Sequence, residues 1–209
     1  RVDKTAEGKP KSMEAMNEII EERWKKEGKG ALLATLEGWR DSIIGADDFA
    51  KISPRSGWAL VSKDFLPDST DKNYIEQTEL IIKTLKDAPF SVMELPEEYA
   101  EAIAEFKSQK ERLMKLMSED QGEAARQLSK LKISQLTRQS IQETIYDLAM
   151  YYDIHGKRLL EDKYIWSNSC SSFGNLVRLG GFGATGVYGM GFRSDHGSID
   201  LGVSLSRRR

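Results

Sequence analysis

The chain reads as mainly α: an antiparallel helical bundle followed by a C-terminal Gly-rich segment that forms a β-hairpin. Three observations predict this. Apolar residues recur at helical spacing through much of residues 12–156, glycine and serine crowd residues 167–191, and period-two alternation is confined to the C-terminal end. The expected organisation is a flexible arm over 1–11, N-terminal helices and an ordered connector over 12–70, a four-helix bundle over 71–160, and a Gly/Ser-rich tail with the hairpin over 161–209. At 209 residues the chain can bury a real core without a metal or disulfide.

The first eleven residues are polar and read as an arm. Ser12 supplies an N-cap for a helix running to Gly28, with Met13, Met16, Ile20 and Trp24 on one face. Leu32, Leu36, Trp39 and Ile43 predict a second helical segment over 31–44, although Gly38 weakens it. Gly45, Pro54, Gly57 and Pro67 then punctuate a connector that holds the apolar pieces Trp58-Ala59-Leu60-Val61 and Phe65-Leu66.

The first bundle helix starts near Asp71, carries Tyr74, Thr78, Ile81, Ile82 and Leu85, and ends before Pro89. Pro96, Glu97 and Glu98 open a second, reaching about Glu119, with Tyr99, Ile103, Phe106, Leu113 and Met117 inward. A shorter third helix follows Gly122 with Ala125, Leu128 and Leu131. Ile141, Ile145, Leu148 and Tyr152 define a fourth that stops at Gly156. Short links between helices favour antiparallel packing.

In the tail, Tyr188, Met190 and Phe192 alternate with Val187, Gly189 and Gly191. Beyond Asp195-His196-Gly197, Ile199, Leu201, Val203 and Leu205 alternate with Asp200, Gly202, Ser204 and Ser206. These two runs predict a hairpin with one bulky face and one nearly bare face. An isolated hairpin is marginal in water, so the bulky face calls for cover by the bundle or a partner. The bare glycines either relieve crowding inside the protein or let a partner come close. The candidate partner-binding residues are therefore Tyr188, Met190, Phe192, Gly189, Gly191, Gly202, Ile199 and Leu201.

Composition narrows the function. Lys+Arg 31 nearly balances Asp+Glu 33, so no global field attracts nucleic acid or anionic membrane. No apolar run is long enough for a membrane-spanning helix. The single cysteine, Cys170, excludes an internal disulfide framework. Leu179-Gly180-Gly181-Phe182-Gly183-Ala184-Thr185-Gly186 invites a phosphate-loop reading, but lacks the Gly-Lys-Ser/Thr ending and a following helix. A Cys170 nucleophile paired with His155 or His196 would define a small enzyme, yet no spacing selects that pair, and His155 suits a helix C-terminus. Lys25-Lys26, Lys130-Lys132 and Arg207 to Arg209 are local basic clusters without an aromatic platform, leaving a nucleic-acid-binding structural protein as the other alternative. No cofactor, metal or nucleic-acid partner is expected.

The stretch Leu148-Ala149-Met150-Tyr151-Tyr152-Asp153-Ile154-His155-Gly156 resembles the Leu-Ala-x-x-Tyr-x-x-x-Gly run in the last helices of the eleven-kilodalton photosystem II repair factors, a lumenal four-helix-bundle family. Asn73-Tyr74-Ile75-Glu76-Gln77-Thr78 is similar to that family's Tyr-x-x-x-Thr opening, and Ile103 with Phe106 falls near its second-helix pattern. The similarity spans residues 71–160. The family's basic run closing the second helix has no equivalent in Lys107 to Met117, and the first seventy residues and the Gly-rich tail have no counterpart. The resemblance implies an extrinsic or linker subunit of a photosynthetic membrane complex on the lumenal side of the thylakoid, touching photosystem or antenna subunits and peripheral to the membrane at most. The expected function is thus a noncatalytic interaction subunit whose tail docks on a larger assembly.

Overall fold

The computed structural model describes residues 1–34, 52–87, 94–171 and 173–208. Helix α1 spans Met13–Glu27 and strand β1 Ala59–Val61. Four helices follow: α2 over Tyr74–Asp87, α3 over Glu97–Glu119, α4 over Gln121–Lys130 and α5 over Lys132–Thr137. Helix α6 covers Ile141–His155, and strands β2 to β6 cover Tyr164–Cys170, Leu176–Gly183, Gly186–Phe192, Leu201–Gly202 and Ser206–Arg208.

The helix ends form where local chemistry dictates. Ser12 Oγ accepts from the Ala15 amide and Gly28 closes α1 in the left-handed conformation. Asn73 and Glu76 exchange backbone–side-chain hydrogen bonds at the start of α2. Ser140 and Glu143 form a capping box on α6, and Gly156 ends it at φ 64°. Pro96 is the N-cap of α3, one position earlier than its sequence placement in the first turn.

The expected helical bundle is not formed. The described chain is 45% helix and 17% strand, and the C-terminal region folds as a curled four-stranded half-barrel in the order β4-β3-β2-β5, with β5 parallel to β2. Helices α2 to α5 pack against one another and against this sheet, and α1 and α6 cover its other side. One core unites α2 to α5 with Trp166, Leu176, Leu201 and Val203; the other unites α1 and α6 with Val177, Leu179, Phe182 and Val187. Adjacent residues of β3, Leu176 and Val177, enter different cores because successive strand side chains point to opposite faces. Helix α6 buries Ile141 through Tyr146 without interruption, as well as Leu148, Ala149 and Tyr152, so it is wrapped on most of its circumference. A bundle helix would bury one stripe.

The hairpin also differs from its expected pairing. Strands β3 and β4 pair across Ala184-Thr185, with Gly180 opposite Tyr188 and Leu176 opposite Phe192. Residues after Gly197 do not return along β4. They cross to the other edge of the sheet, where Tyr164 pairs with Leu201. This crossing is fixed to the entry of α2: the Asp71 and Tyr74 amides donate to the Ser198 and Ser194 carbonyls at 2.8 and 3.0 Å. Gly197 is required there, since a Cβ would lie 2.6 Å from the Asp71 carbonyl carbon.

Residues 31–34, expected to begin a second helix, are extended and line the outer edge of β4. Val187 donates to the Leu32 carbonyl at 2.8 Å, and Ala34 donates to Val187 at 3.0 Å. Gly28 and Gly30, both at positive φ, stop the helical path before this point. The remainder of that expected helix, 35–44, lies outside the described residues. The other sheet is a two-stranded ribbon in which β1 and β6 are antiparallel, Leu60 facing Arg207 and Val61 facing Ser206.

Candidate functional site: a docking cleft beside the β1–β6 ribbon

The last two turns of α6 leave an apolar cleft of about 310 Å3 between themselves and the ribbon. Ala59 and Val61 form one wall, Leu148, Tyr151 and Ile154 another, and Leu160 with Ile165 the floor. Ile154 is 75% exposed, on a helix whose other branched apolar side chains, Ile141, Leu148 and Ile145, are buried. At the rim the Lys63 ammonium lies 5.4 Å from the Tyr151 ring centre, and the His155 ring is 4.4 Å from that of Tyr151. The cleft is thus an apolar slot with cation-capable groups at one end.

The ribbon is held in place by a ladder of serine hydrogen bonds. The Ser62 amide donates to the Leu205 carbonyl at 2.9 Å, the Leu205 amide donates back to Ser62 Oγ at 2.8 Å, and Ser204 Oγ donates to the Ser62 carbonyl at 2.9 Å. In the cleft lining, Asp147 accepts a bidentate contact from Arg1 at 3.0 and 2.6 Å, and Arg1 also pairs with Glu143 at 3.2 Å. The Arg1 guanidinium is nearly buried, as is the Glu143 carboxylate. One guanidinium thus serves two carboxylates, and Gln139 also donates to Asp147 at 2.6 Å.

A second cleft, of about 320 Å3, opens on the other side of the ribbon between Leu60, Leu85, Tyr99, Leu205 and Arg207. Burial pushes the Tyr99 phenol up, while the nearby Arg207 charge opposes that shift.

The sequence-predicted partner residues are distributed over several environments. Tyr188, Met190 and Phe192 are half-buried on β4. The Phe192 ring packs 5.7 Å from Trp166, and Met190 Sδ accepts from Arg178 at 3.1 Å. That guanidinium is stacked on Tyr164 and Phe192, 4.6 and 4.2 Å from their ring centres. Gly189 is buried and Gly191 lies beside Asn175 and Ser171. Leu201 is fully buried, Gly202 lies directly under the Phe65 ring, and Ile199 is 84% exposed. The structure brings Tyr188, Met190 and Phe192 to one strand and carries Ile199, Leu201 and Gly202 to the opposite side of the sheet.

The remaining chemical motifs find structural uses. The run Leu179 to Gly186 forms most of β3 and the tight turn into β4. Cys170 is half-buried, and burial pushes its thiol up despite the nearby Arg126 and Lys130 charges, the opposite of what an activated nucleophile needs. His155 closes α6, and His196 faces Asp195 at 2.8 Å. Among the described residues no cluster of His, Cys, Asp and Glu could hold a metal ion, and no helix is long and apolar enough to cross a membrane.

Sequence reasoning missed both clefts. Trp58 to Val61 was visible as an apolar piece, but its strand partner Ser206–Arg208 has no apolar alternation to announce it. No protein family, curated protein or solved structure matches this chain.

Proposed function

We propose that this protein is a noncatalytic extrinsic or linker subunit that docks on a larger assembly through the cleft between α6 and the β1–β6 ribbon. The observation that carries the reading is Ile154, three-quarters exposed at the mouth of an apolar slot. A slot of that size accepts one or two apolar side chains of a partner, and burying such anchors in a desolvated pocket is how small interfaces gain most of their affinity. Lys63 and His155 at the rim favour a partner segment with an acidic residue beside its apolar anchor.

The setting we propose is a photosynthetic membrane complex on the lumenal side of the thylakoid, with photosystem or antenna subunits as partners. It rests on the resemblance of residues 148–156. Leu148, Met150, Tyr151, Ile154 and His155, which belong to that stretch, also line the cleft. The test is a photo-crosslinking residue placed at Ile154, with identification of the crosslinked chains in the native source. Crosslinks to one recurring subunit, abolished by Tyr151→Ala, are expected. Crosslinks only to soluble metabolic enzymes would sink the photosynthetic setting, and none at all would remove the cleft as a docking site.

A further inference from the structure

A full positive charge is enclosed beside the first core. Arg138 follows α5, and β2 pins its backbone: Asn168 Nδ2 donates to the Arg138 carbonyl and the Asn168 amide to that of Gln139, both at 2.9 Å. The residue is 2% exposed, and no carboxylate among the described residues pairs with it. Its acceptors are neutral and lie far off for a cation: Gln77 Oε1 at 3.3 Å, Thr78 Oγ1 at 3.4 Å and the Tyr74 carbonyl at 3.5 Å. Charge-assisted hydrogen bonds normally close to about 2.7–2.9 Å. The Arg138 Nε has no acceptor among the described residues. The Tyr74 ring, its centre 4.1 Å from the guanidinium, attracts the cation without neutralising it. Burial pushes the Tyr74 phenol up, and its hydroxyl donates to Ser134 Oγ at 3.0 Å, so no phenolate supplies the missing charge.

A second donor without an acceptor packs on the same tyrosine. The Trp166 ring stands at 73° to that of Tyr74, with centres 5.8 Å apart, and its buried Nε1 has no acceptor among the described residues. Buried N–H groups are rarely left unpaired, and a buried cation without a counter-charge is among the costliest arrangements a fold can hold. Two such donors beside one ring call for a ligand that only accepts and that carries negative charge.

We propose that Arg138 and Trp166 form an internal binding site for a small monovalent anion of the halide class, such as chloride. One negative charge matches one guanidinium. Tyr74, Gln77, Ser134 and Trp166, none more than 2% exposed, close the site to phosphate and larger anions. A water molecule would satisfy the N–H groups but leave the charge unopposed. An anion held inside a core binds the folded chain alone, so it couples stability to halide concentration. None of these residues lines the α6 cleft, so the anion site and the docking reading succeed or fail separately.

The experiment measures thermal unfolding of the full chain in mixtures of sodium chloride and sodium gluconate at constant ionic strength. Above the dissociation constant, each tenfold rise in chloride should raise Tm by about 3–5 °C, and bromide should replace chloride. Arg138→Met should abolish this dependence while matching or exceeding the native protein in gluconate alone, because it removes the uncompensated charge. Trp166→Phe, which keeps an aromatic ring and removes the N–H, should weaken the dependence and decides the matter if Arg138→Met does not fold. Crystals grown with bromide should show an anomalous peak within hydrogen-bonding distance of Arg138. Equal Tm in chloride and gluconate, or a dependence unchanged in either variant, would overturn the proposal. So would a water at that position without bromide, and a bromide peak with no effect on stability would mark an adventitious ion only.

Discussion

Gln77 is the residue on which the two halves of the first core meet. Its side chain is fully buried, its amide nitrogen donates to the Ser69 and Leu201 carbonyls at 2.9 and 3.1 Å, and its oxygen accepts from Arg138 at 3.3 Å. Arg138 is itself buried, with its guanidinium 4.1 Å from the Tyr74 ring centre and further donors toward Thr78 and the Tyr74 carbonyl. Loss of water around that cation lowers its proton affinity, so each polar neighbour matters. Replacing Gln77 with Ala strands two carbonyls and one guanidinium nitrogen. We expect a loss of about 1–3 kcal/mol, read as a lower urea midpoint with an unchanged slope. A change below about 0.5 kcal/mol would mean that water or a rearranged side chain fills the gap.

At the scale of elements, the decisive junction is the short extended segment 31–34 against β4. Gly186 has φ 103°, and a Cβ there would collide with the Leu33 carbonyl carbon and the Ala34 nitrogen. Gly186→Ala is expected to destabilise the protein by about 1–3 kcal/mol through strain and loss of this edge pairing. Hydrogen exchange at the Ala34 and Val187 amides should accelerate together. Thr185→Ala, at the exposed turn next door, should leave both amides protected.

The same scale explains what was legible beforehand. Helix ends were readable because caps are local: Ser12, Ser140 with Glu143, and Gly156 act within one turn. The stripe Ile141, Ile145, Leu148, Tyr152 was readable too, but it describes only one side of α6. Its remaining circumference is covered by α1, the sheet and Arg1, all distant in sequence. Tyr188, Met190 and Phe192 were correctly seen as alternating, yet period two says nothing about which strand comes next to them. That depended on the crossing at residues 193–200, held by α2. The ribbon, which flanks both clefts, pairs an apolar piece read only as part of a connector with a Ser-Arg-Arg strand.

For the whole molecule, the central fact is that its sheets join distant parts of the chain. Strand β1 pairs with β6, residues 31–34 with β4, and β2 in parallel with β5. Such pairings must close long loops before they return any stabilisation, so refolding belongs to a slower class than that of a helical bundle of similar size. Single-exponential or slower multiphase refolding on the millisecond-to-second scale is expected in stopped-flow tryptophan fluorescence. Completion within microseconds would contradict the architecture. Three of the tryptophans are informative probes, since Trp24 and Trp166 sit in different cores while Trp58 is exposed.

The edge pairing of residues 31–34 has a consequence for biosynthesis. Leu32 and Leu33, both completely buried in the finished fold, have their place beside Val187, which is added much later. At ordinary elongation rates the ribosome needs roughly 10–30 s to cover that distance. Throughout that interval the two leucines have at most α1 beside them and lack the cover that α6 and the sheet give them in the finished fold.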